Sequence, residues 1–331
     1  MTRILYAIQG TGNGHISRAM DVAPELEKYG QVDYLVSGAQ VDIALPQTVR
    51  YKSKGLSFYF GKNGGINFLK TFTNNSSTTL YREVRDFPID NYDLIINDFE
   101  PITAWSAKLN GKKCVALSHQ SALLSDKCPK PKSKDVVGKM ILKNYAPASK
   151  HYGFHFNAFD SNIHTPVIRK AIRSMDVQNH GHYTVYLPAY SDHRIIEILS
   201  QVRSVKWEVF SKHSQKAYEI GNINLSPVSN QAFVKSMVSS EGVLCGAGFE
   251  TPAEALFLGK KLMVIPMRGQ YEQHCNAAAL QEMGIPVVKK LKGSSIEKIK
   301  NWVKDGEAIQ VNYPDELEKI VAGVIETEVG K

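Results

Sequence analysis

Short apolar runs alternate with stretches of helical periodicity along the chain. Residues 3–8, with Ile4-Leu5-Tyr6-Ala7-Ile8 uninterrupted, read as a buried strand that stops at a glycine loop. Residues 16–29 follow as a helix, because Ile16, Ala19, Met20, Ala23 and Leu26 fall on one face. Val32–Val36, Asp93–Asn97 and Lys113–Ser118 read as further strands, with helices over 66–86, 100–110 and 135–145. The second half repeats the alternation: strands near 183–188, 205–210, 241–245 and 261–266, helices near 193–201, 231–239, 251–259, 273–284 and 294–304. Pro314 opens a last helix whose apolar face is Leu317, Ile320, Val321 and Val324. Strand-helix alternation predicts parallel sheets covered on both faces, and two such blocks predict two doubly wound α/β domains.

The break between the blocks is expected near 160–182, where Asp160-Ser161-Asn162 and Gln178-Asn179-His180-Gly181-His182 are polar and turn-rich. The expected division is 1–165, 166–312, and a terminal helix at 313–331 packing back across the domains. A length of 331 residues agrees with two domains of about 150 residues each. Open α/β sheets bind ligands beyond the carboxyl ends of their strands, so the cleft between the domains is the expected site.

Composition adds exclusions. Hydrophobic residues make up 43% and charged residues 22%, as in globular proteins. No window holds the roughly 18 apolar residues of a membrane span, and the first strand is too short for a signal-peptide core. Cys114, Cys128, Cys245 and Cys275 contain no C-x-x-C pair, so neither a zinc site nor a disulfide framework is indicated, and a reducing, cytoplasmic location fits. The net charge is +8; residues 1–165 hold 20 Lys/Arg against 14 Asp/Glu, so most of the excess lies in the first half. Within it, Lys127, Lys130, Lys132, Lys134, Lys139 and Lys143 interleave with Val136, Val137, Met140, Ile141 and Leu142. Such a basic amphipathic stretch suits an anionic membrane surface; the alternative is a solvated loop beside an ordinary helix. Nucleic acid is not expected, since no aromatic stacking pattern accompanies the lysines.

Two constellations carry chemistry. The first is Gly10-Thr11-Gly12-Asn13-Gly14-His15, between strand and helix. Glycines admit close backbone approach, and a helix N-terminus offers unpaired N–H groups. Leu35-Val36-Ser37-Gly38 lacks the acidic residue of a dinucleotide site, and no Gly-Lys-Ser/Thr follows, so the ligand is neither NAD nor ATP. His15 is a candidate general base; the alternative is a tight turn in which it packs locally. The second constellation runs Gly246-Ala247-Gly248-Phe249-Glu250-Thr251-Pro252-Ala253-Glu254-Ala255-Leu256, then Gly259, then a strand ending at Pro266, then Gln270-Tyr271-Glu272-Gln273-His274-Cys275-Asn276. A strand that turns through small residues into a helix makes an anion site, with Glu254 one turn on and Glu272 and Gln273 opening the next helix.

This second stretch resembles the donor-binding signature of inverting GT-B glycosyltransferases. Relatives of that type are the peptidoglycan lipid-intermediate GlcNAc transferase, the monogalactosyldiacylglycerol synthases and the UDP-glucuronosyltransferases. The matching positions are Gly246, Gly248, Glu254, Ala255, Gly259, Pro266, Glu272, Gln273 and Asn276; the family often carries His or Arg where this chain has Gly246. The resemblance implies a GT-B fold, two Rossmann-like domains facing across a cleft. It also implies phosphate contact by the 248–251 backbone and Thr251, ribose contact by Glu254, and sugar contact by Glu272 and Gln273. Gly12-Asn13-Gly14-His15-Ile16-Ser17-Arg18 is similar to the Gly-x-Gly-His-x-x-Arg loop of nucleotide-sugar hydrolases on the same fold.

Three lesser candidates remain. Asp98 and Glu100 follow an apolar strand, where a carboxylate either serves an acceptor or, with Asp98 capping and Glu100 in the first turn, steadies the helix. His119 and Gln120 line the cleft or are satisfied loop residues. His180 and His182 lack further metal ligands, and no Asp-x-Asp occurs. The expectation is a metal-independent, inverting transfer of a hexose-type sugar from a UDP-sugar to an acceptor hydroxyl, lipid-linked or on a cell-envelope glycan. His15 is the first choice of base and Glu100 the second. A nucleotide-sugar hydrolase and a silent sugar-nucleotide-binding module are the rival readings.

Overall fold

The computed structural model describes residues 1–38, 45–53, 60–61, 65–66, 77–132 and 135–330. Two sheets organise them. The first runs β3-β2-β1-β6-β7-β8-β9 and is parallel throughout. Its strands are β1 (Thr2–Gln9), β2 (Gly30–Ser37), β3 (Val49–Ser53), β6 (Leu94–Asp98), β7 (Cys114–Ser118), β8 (Lys150–Phe154) and β9 (Ile163–His164). A separate antiparallel ribbon pairs β4 (Phe60–Gly61) with β5 (Gly65–Ile66). The second sheet runs β12-β13-β11-β10-β14-β15, from β10 (His182–Tyr186), β11 (Lys206–Ser211), β12 (Tyr218–Ile220), β13 (Ile223–Pro227), β14 (Gly242–Gly246) and β15 (Lys261–Ile265). Only β12 is antiparallel there.

The unbroken apolar runs follow from burial on two faces. Ile4, Tyr6 and Ile8 enter one core cluster while Leu5 and Ala7 enter another. Val243 and Cys245 likewise face away from Leu244. The strand β13 departs from this rule: Ile223 and Leu225 are buried while Asn224 is exposed, and a search for apolar runs passes over it. Strand β8, reading Lys-His-Tyr-Gly-Phe, is hidden for the same reason.

Helix boundaries moved. The helix expected over 16–29 spans Asn13–Glu27, which brings His15 into its first turn. The one expected over 66–86 is described only as Ser77–Asp86; residue 66 lies in β5, and 67–76 fall outside the described residues. The last helix begins at Leu317, three residues beyond Pro314. Its Glu328 accepts from Tyr152 Oη at 2.8 Å and pairs with Lys113, which ties it to the first sheet. Between the sheets, residues 165–181 contain one four-residue helix, Lys170–Arg173.

Strand order reverses between β1 and β6 in the first sheet and between β10 and β14 in the second. The crevice beyond a reversal is where open α/β sheets take ligands. The loop after β1, the turn after β6 and the turn after β14 all open there, and the two domains meet over them. The His119 ring stacks on Phe249 with centroids 3.9 Å apart and planes 7° apart.

Candidate active site

The first glycine loop is shaped by close approach. Gly10 N donates to Ser37 O at 2.6 Å, and a Cβ on Gly38, at φ +126°, would meet Gly10 O at 2.5 Å. A Cβ on Gly14 would meet Glu250 Cγ of the other domain at 3.0 Å, so a larger residue there would press on the Glu250 side chain. Gly12 and Gly14 line the cleft, whereas Gly10 and Asn13 do not.

Three of the helices that lack a side-chain cap point their N-termini at one place: Asn13–Glu27, Glu250–Phe257 and Tyr271–Glu282. First-turn residues of each line one cavity of about 290 Å³. Converging uncapped N-termini supply N–H donors and positive potential to an anion. The helix Pro101–Leu109 differs. Glu100 caps it, accepting from Ile102 N at 2.7 Å and Thr103 N at 2.8 Å. Glu100 is fully buried, also accepts from Thr103 Oγ1, and does not line the cavity. Its place as second-choice base is therefore corrected: this carboxylate closes a helix.

Asp98, expected as the alternative cap, pairs with His15 and Arg18 instead. Its Oδ1 lies 2.8 Å from His15 Nδ1, and its two oxygens accept from Arg18 Nη2 at 2.7 and 2.8 Å. The exchange of roles follows from Phe99, which has φ 55°, a left-handed conformation rare for a bulky residue. That turn sends Asp98 toward the helix Asn13–Glu27 and Glu100 back toward its own helix. Burial works to raise the Asp98 carboxyl, but Arg18 and His15 hold it below the usual carboxylate range. His15 Nε2 faces the cavity side, 3.4 Å from Gln120 Nε2. Neither the dyad nor the Arg18 contact was legible beyond the i, i+3 spacing of His15 and Arg18 on one helix face.

From the second domain, Gly248, Phe249, Glu250 and Thr251 line the cavity, as do Glu272 and Gln273. Glu250 pairs with Arg18 across the cleft. Burial pushes its carboxyl up to about 7, with Arg18 opposing. Glu272 accepts from Gln120 Nε2 at 3.0 Å, and Gln273 Oε1 accepts from Met267 N at 2.8 Å. Three expected donor residues sit elsewhere. Glu254 is buried with both oxygens held by Arg169, at 2.5 and 2.9 Å, so the ribose contact expected of it is already occupied by a guanidinium. Asn276 binds His119 Nε2 at 2.7 Å and donates to Ala247 O at 3.1 Å, behind the cavity wall. Gly246 ends β14 and does not line the cavity.

His119 and Gln120 do line it, His119 with Nδ1 on Phe154 O at 2.8 Å. His182 lies in β10, with Nε2 3.1 Å from Ser236 O. Among the described residues no group of three His, Cys, Asp or Glu is arranged for a metal. One wall is apolar, built by Phe99, Ile141, Leu142 and Tyr271. Ile141 and Leu142 belong to the helix Val136–Asn144, whose Val136, Val137 and Met140 are more than half exposed. Lys139 and Lys143 are exposed beside them; Lys134 falls outside the described residues. No described helix is long and apolar enough to cross a membrane.

A family profile described as glycosyl transferase family 1 matches residues 2–305. Solved structures share the architecture. The glycotransferase of kitacinnamycin superposes with TM-score 0.58 at 13% identity, over 99% of this chain and 94% of that one. Phytolacca americana UGT2, complexed with UDP-2fluoro-glucose and pterostilbene, gives 0.57 at 13%, over 99% and 94%. Acinetobacter baumannii MurG gives 0.53 at 13%, over 97% and 94%. No curated protein matches.

Proposed function

The chain belongs to glycosyl transferase family 1 and is a glycosyltransferase of GT-B fold; on that premise we propose that it transfers a hexose-type sugar from a UDP-sugar, with inversion, to a hydroxyl acceptor. One observation carries the reading. His15, held from behind by Asp98, faces across a single cavity the uncapped N-terminus of the helix Glu250–Phe257. Asp98 accepts from Nδ1–H of His15, which leaves Nε2 to take the acceptor proton. The acceptor oxygen attacks the anomeric carbon while the bond from that carbon to the diphosphate oxygen breaks. The diphosphate then leaves toward the N–H groups of 248–251 and the Thr251 hydroxyl. Glu272 and Gln273 meet the sugar. The scheme is metal-free on the sequence ground that no Asp-x-Asp occurs.

On this reading residues 1–165 supply the acceptor side and the base, and 166–312 the donor side. The UDP-2fluoro-glucose bound by the Phytolacca structure supports the choice of donor. The apolar wall supports an acceptor with a lipid portion. Its helix exposes Val136, Val137 and Met140 beside Lys139 and Lys143, and this supports contact with an anionic membrane surface.

Radiolabelled UDP-sugars, incubated with and without a lipid extract, test the proposal. Product that requires the extract is the expected result. Release of free sugar regardless of acceptor would instead make the protein a hydrolase, the reading favoured by Arg18 in its Gly-x-Gly-His-x-x-Arg loop. Binding without turnover would leave only a silent module. Flotation with liposomes tests the surface: equal recovery on neutral and anionic vesicles would remove the membrane from the scheme.

A further inference from the structure

An ion pair in the cleft reaches from one domain to the other. Arg18 keeps Nη2 on both oxygens of Asp98 and extends Nη1 to the carboxylate of Glu250. Glu250 occupies the first turn of the helix Glu250–Phe257, so its charge sits where a helix N-terminus favours an anion. Arg18 is the one Lys or Arg among the described residues lining this cavity. It is 2% exposed, yet its Nε has no hydrogen-bond partner. The second domain brings no cation to this place, because β14 runs out into Gly246-Ala247-Gly248. A buried guanidinium with one donor unused and another spent on a carboxylate of the other domain is set up to receive an anion.

We infer that Arg18, from the first domain, is the cationic seat of the donor diphosphate, and that Glu250 holds this seat in the unliganded protein and yields it with uptake of a proton. The inference rests on the diphosphate reading given above. Asp98 stays on Nη2 and keeps Arg18 in place, while Nη1 and Nε turn to phosphate oxygens. Glu250 then loses its cation and gains an anionic neighbour in a buried site, and both changes disfavour its ionised form. One proton from solvent goes to its carboxylate, and the neutral acid donates to a phosphate oxygen. The groups facing Glu250 are Arg18 and His15 from the helix Asn13–Glu27, Asp98 from the end of β6, Tyr6 from β1, Glu254 from its own helix, and Arg169, itself held by Glu254, from the segment between the sheets. Arg18 is the cation that pairs with it.

The sign follows from a carboxyl that, paired with Arg18, is pushed up to about 7. Well below that pH the free protein already carries the proton and binding takes up none. Above it, uptake approaches one proton, and UDP affinity falls by up to about tenfold per pH unit. Calorimetric titration of UDP at about pH 8.5, in two buffers of different ionisation enthalpy, counts the protons; the phosphate's own ionisation, near about 6, is complete by then. Wild type should take up close to one proton. Glu250→Gln should take up none, and its affinity should not fall with pH. Arg18→Gln should bind UDP about 10–100-fold more weakly, the scale of lost charged hydrogen bonds, with Arg18→Lys between the two. UDP binding to wild type without proton uptake, or with equal uptake in Glu250→Gln, overturns the inference alone. If UDP binds neither wild type nor Glu250→Gln, the donor reading falls and takes the inference with it.

Discussion

Asp98→Asn isolates the carboxylate at the centre of the site. In the native arrangement Oδ1 accepts from both His15 Nδ1 and Arg18 Nη2, and Oδ2 accepts from Arg18 Nη2. An amide has one oxygen to offer. With that oxygen in the Oδ1 position, the NH₂ group lies about where Oδ2 was, 2.8 Å from a guanidinium donor. With the amide reversed, NH₂ meets His15 Nδ1 and Arg18 together, and the imidazole proton is driven to Nε2. His15 then has no lone pair toward the acceptor. Both orientations leave two donors facing each other in a fully buried place. Removing one member of a buried ion pair costs about 3–5 kcal/mol, and the lower end is expected because Arg18 keeps Glu250. Turnover should fall by about 10²–10⁴-fold, the worth of a positioned base. Urea denaturation at unchanged m-value reads the first quantity, and single-turnover transfer from the UDP-sugar reads the second. The Asp98 carboxyl is held low in the folded protein, so its contribution is present above the ordinary carboxylate range, about 3.9, and is lost as pH falls through its depressed value. The stability gap between wild type and variant should therefore close in strong acid. A variant within about 1 kcal/mol of wild type at pH 7, or with turnover within about tenfold, would refute the assignment of Asp98 as the group that orients His15.

Other substitutions separate the remaining roles. His15→Ala should lower kcat by about 10²–10⁴-fold with UDP affinity nearly unchanged; loss of UDP binding would make His15 a phosphate contact. Glu100→Ala should lower stability by about 0.5–2 kcal/mol, as for a lost helix cap, while transfer per folded molecule persists; a collapse of kcat alone would restore it as a base. Glu254→Gln should cost about 3 kcal/mol by breaking the pair with Arg169, whereas weaker UDP binding at unchanged stability would return it to the ribose. Glu272→Ala should blur discrimination among UDP-sugars without weakening UDP, a result that competition between two donors would measure.

Much of the architecture was legible along the chain, because burial on two faces leaves a local mark. Ile4–Ile8, Val243–Cys245 and Leu262–Ile265 are apolar at every position, as strands of a parallel sheet covered on both faces are. The loop at 10–15 and the motif at 246–276 were equally readable, since glycines and helix starts act within a few residues. The polar-faced strands β8 and β13 were not, because their pattern resembles that of a loop. What each charged side chain pairs with was settled only in three dimensions. Asp98 and Glu100 are two residues apart with similar local chemistry, and the left-handed turn at Phe99 sends one to the cleft and the other to a helix cap. Arg18 meets Glu250 across 232 residues, and Arg169 claims Glu254 across 85. A buried charge must find a partner, but which one depends on the two sheets bringing distant loops to one crevice, and no local sequence pattern encodes that meeting.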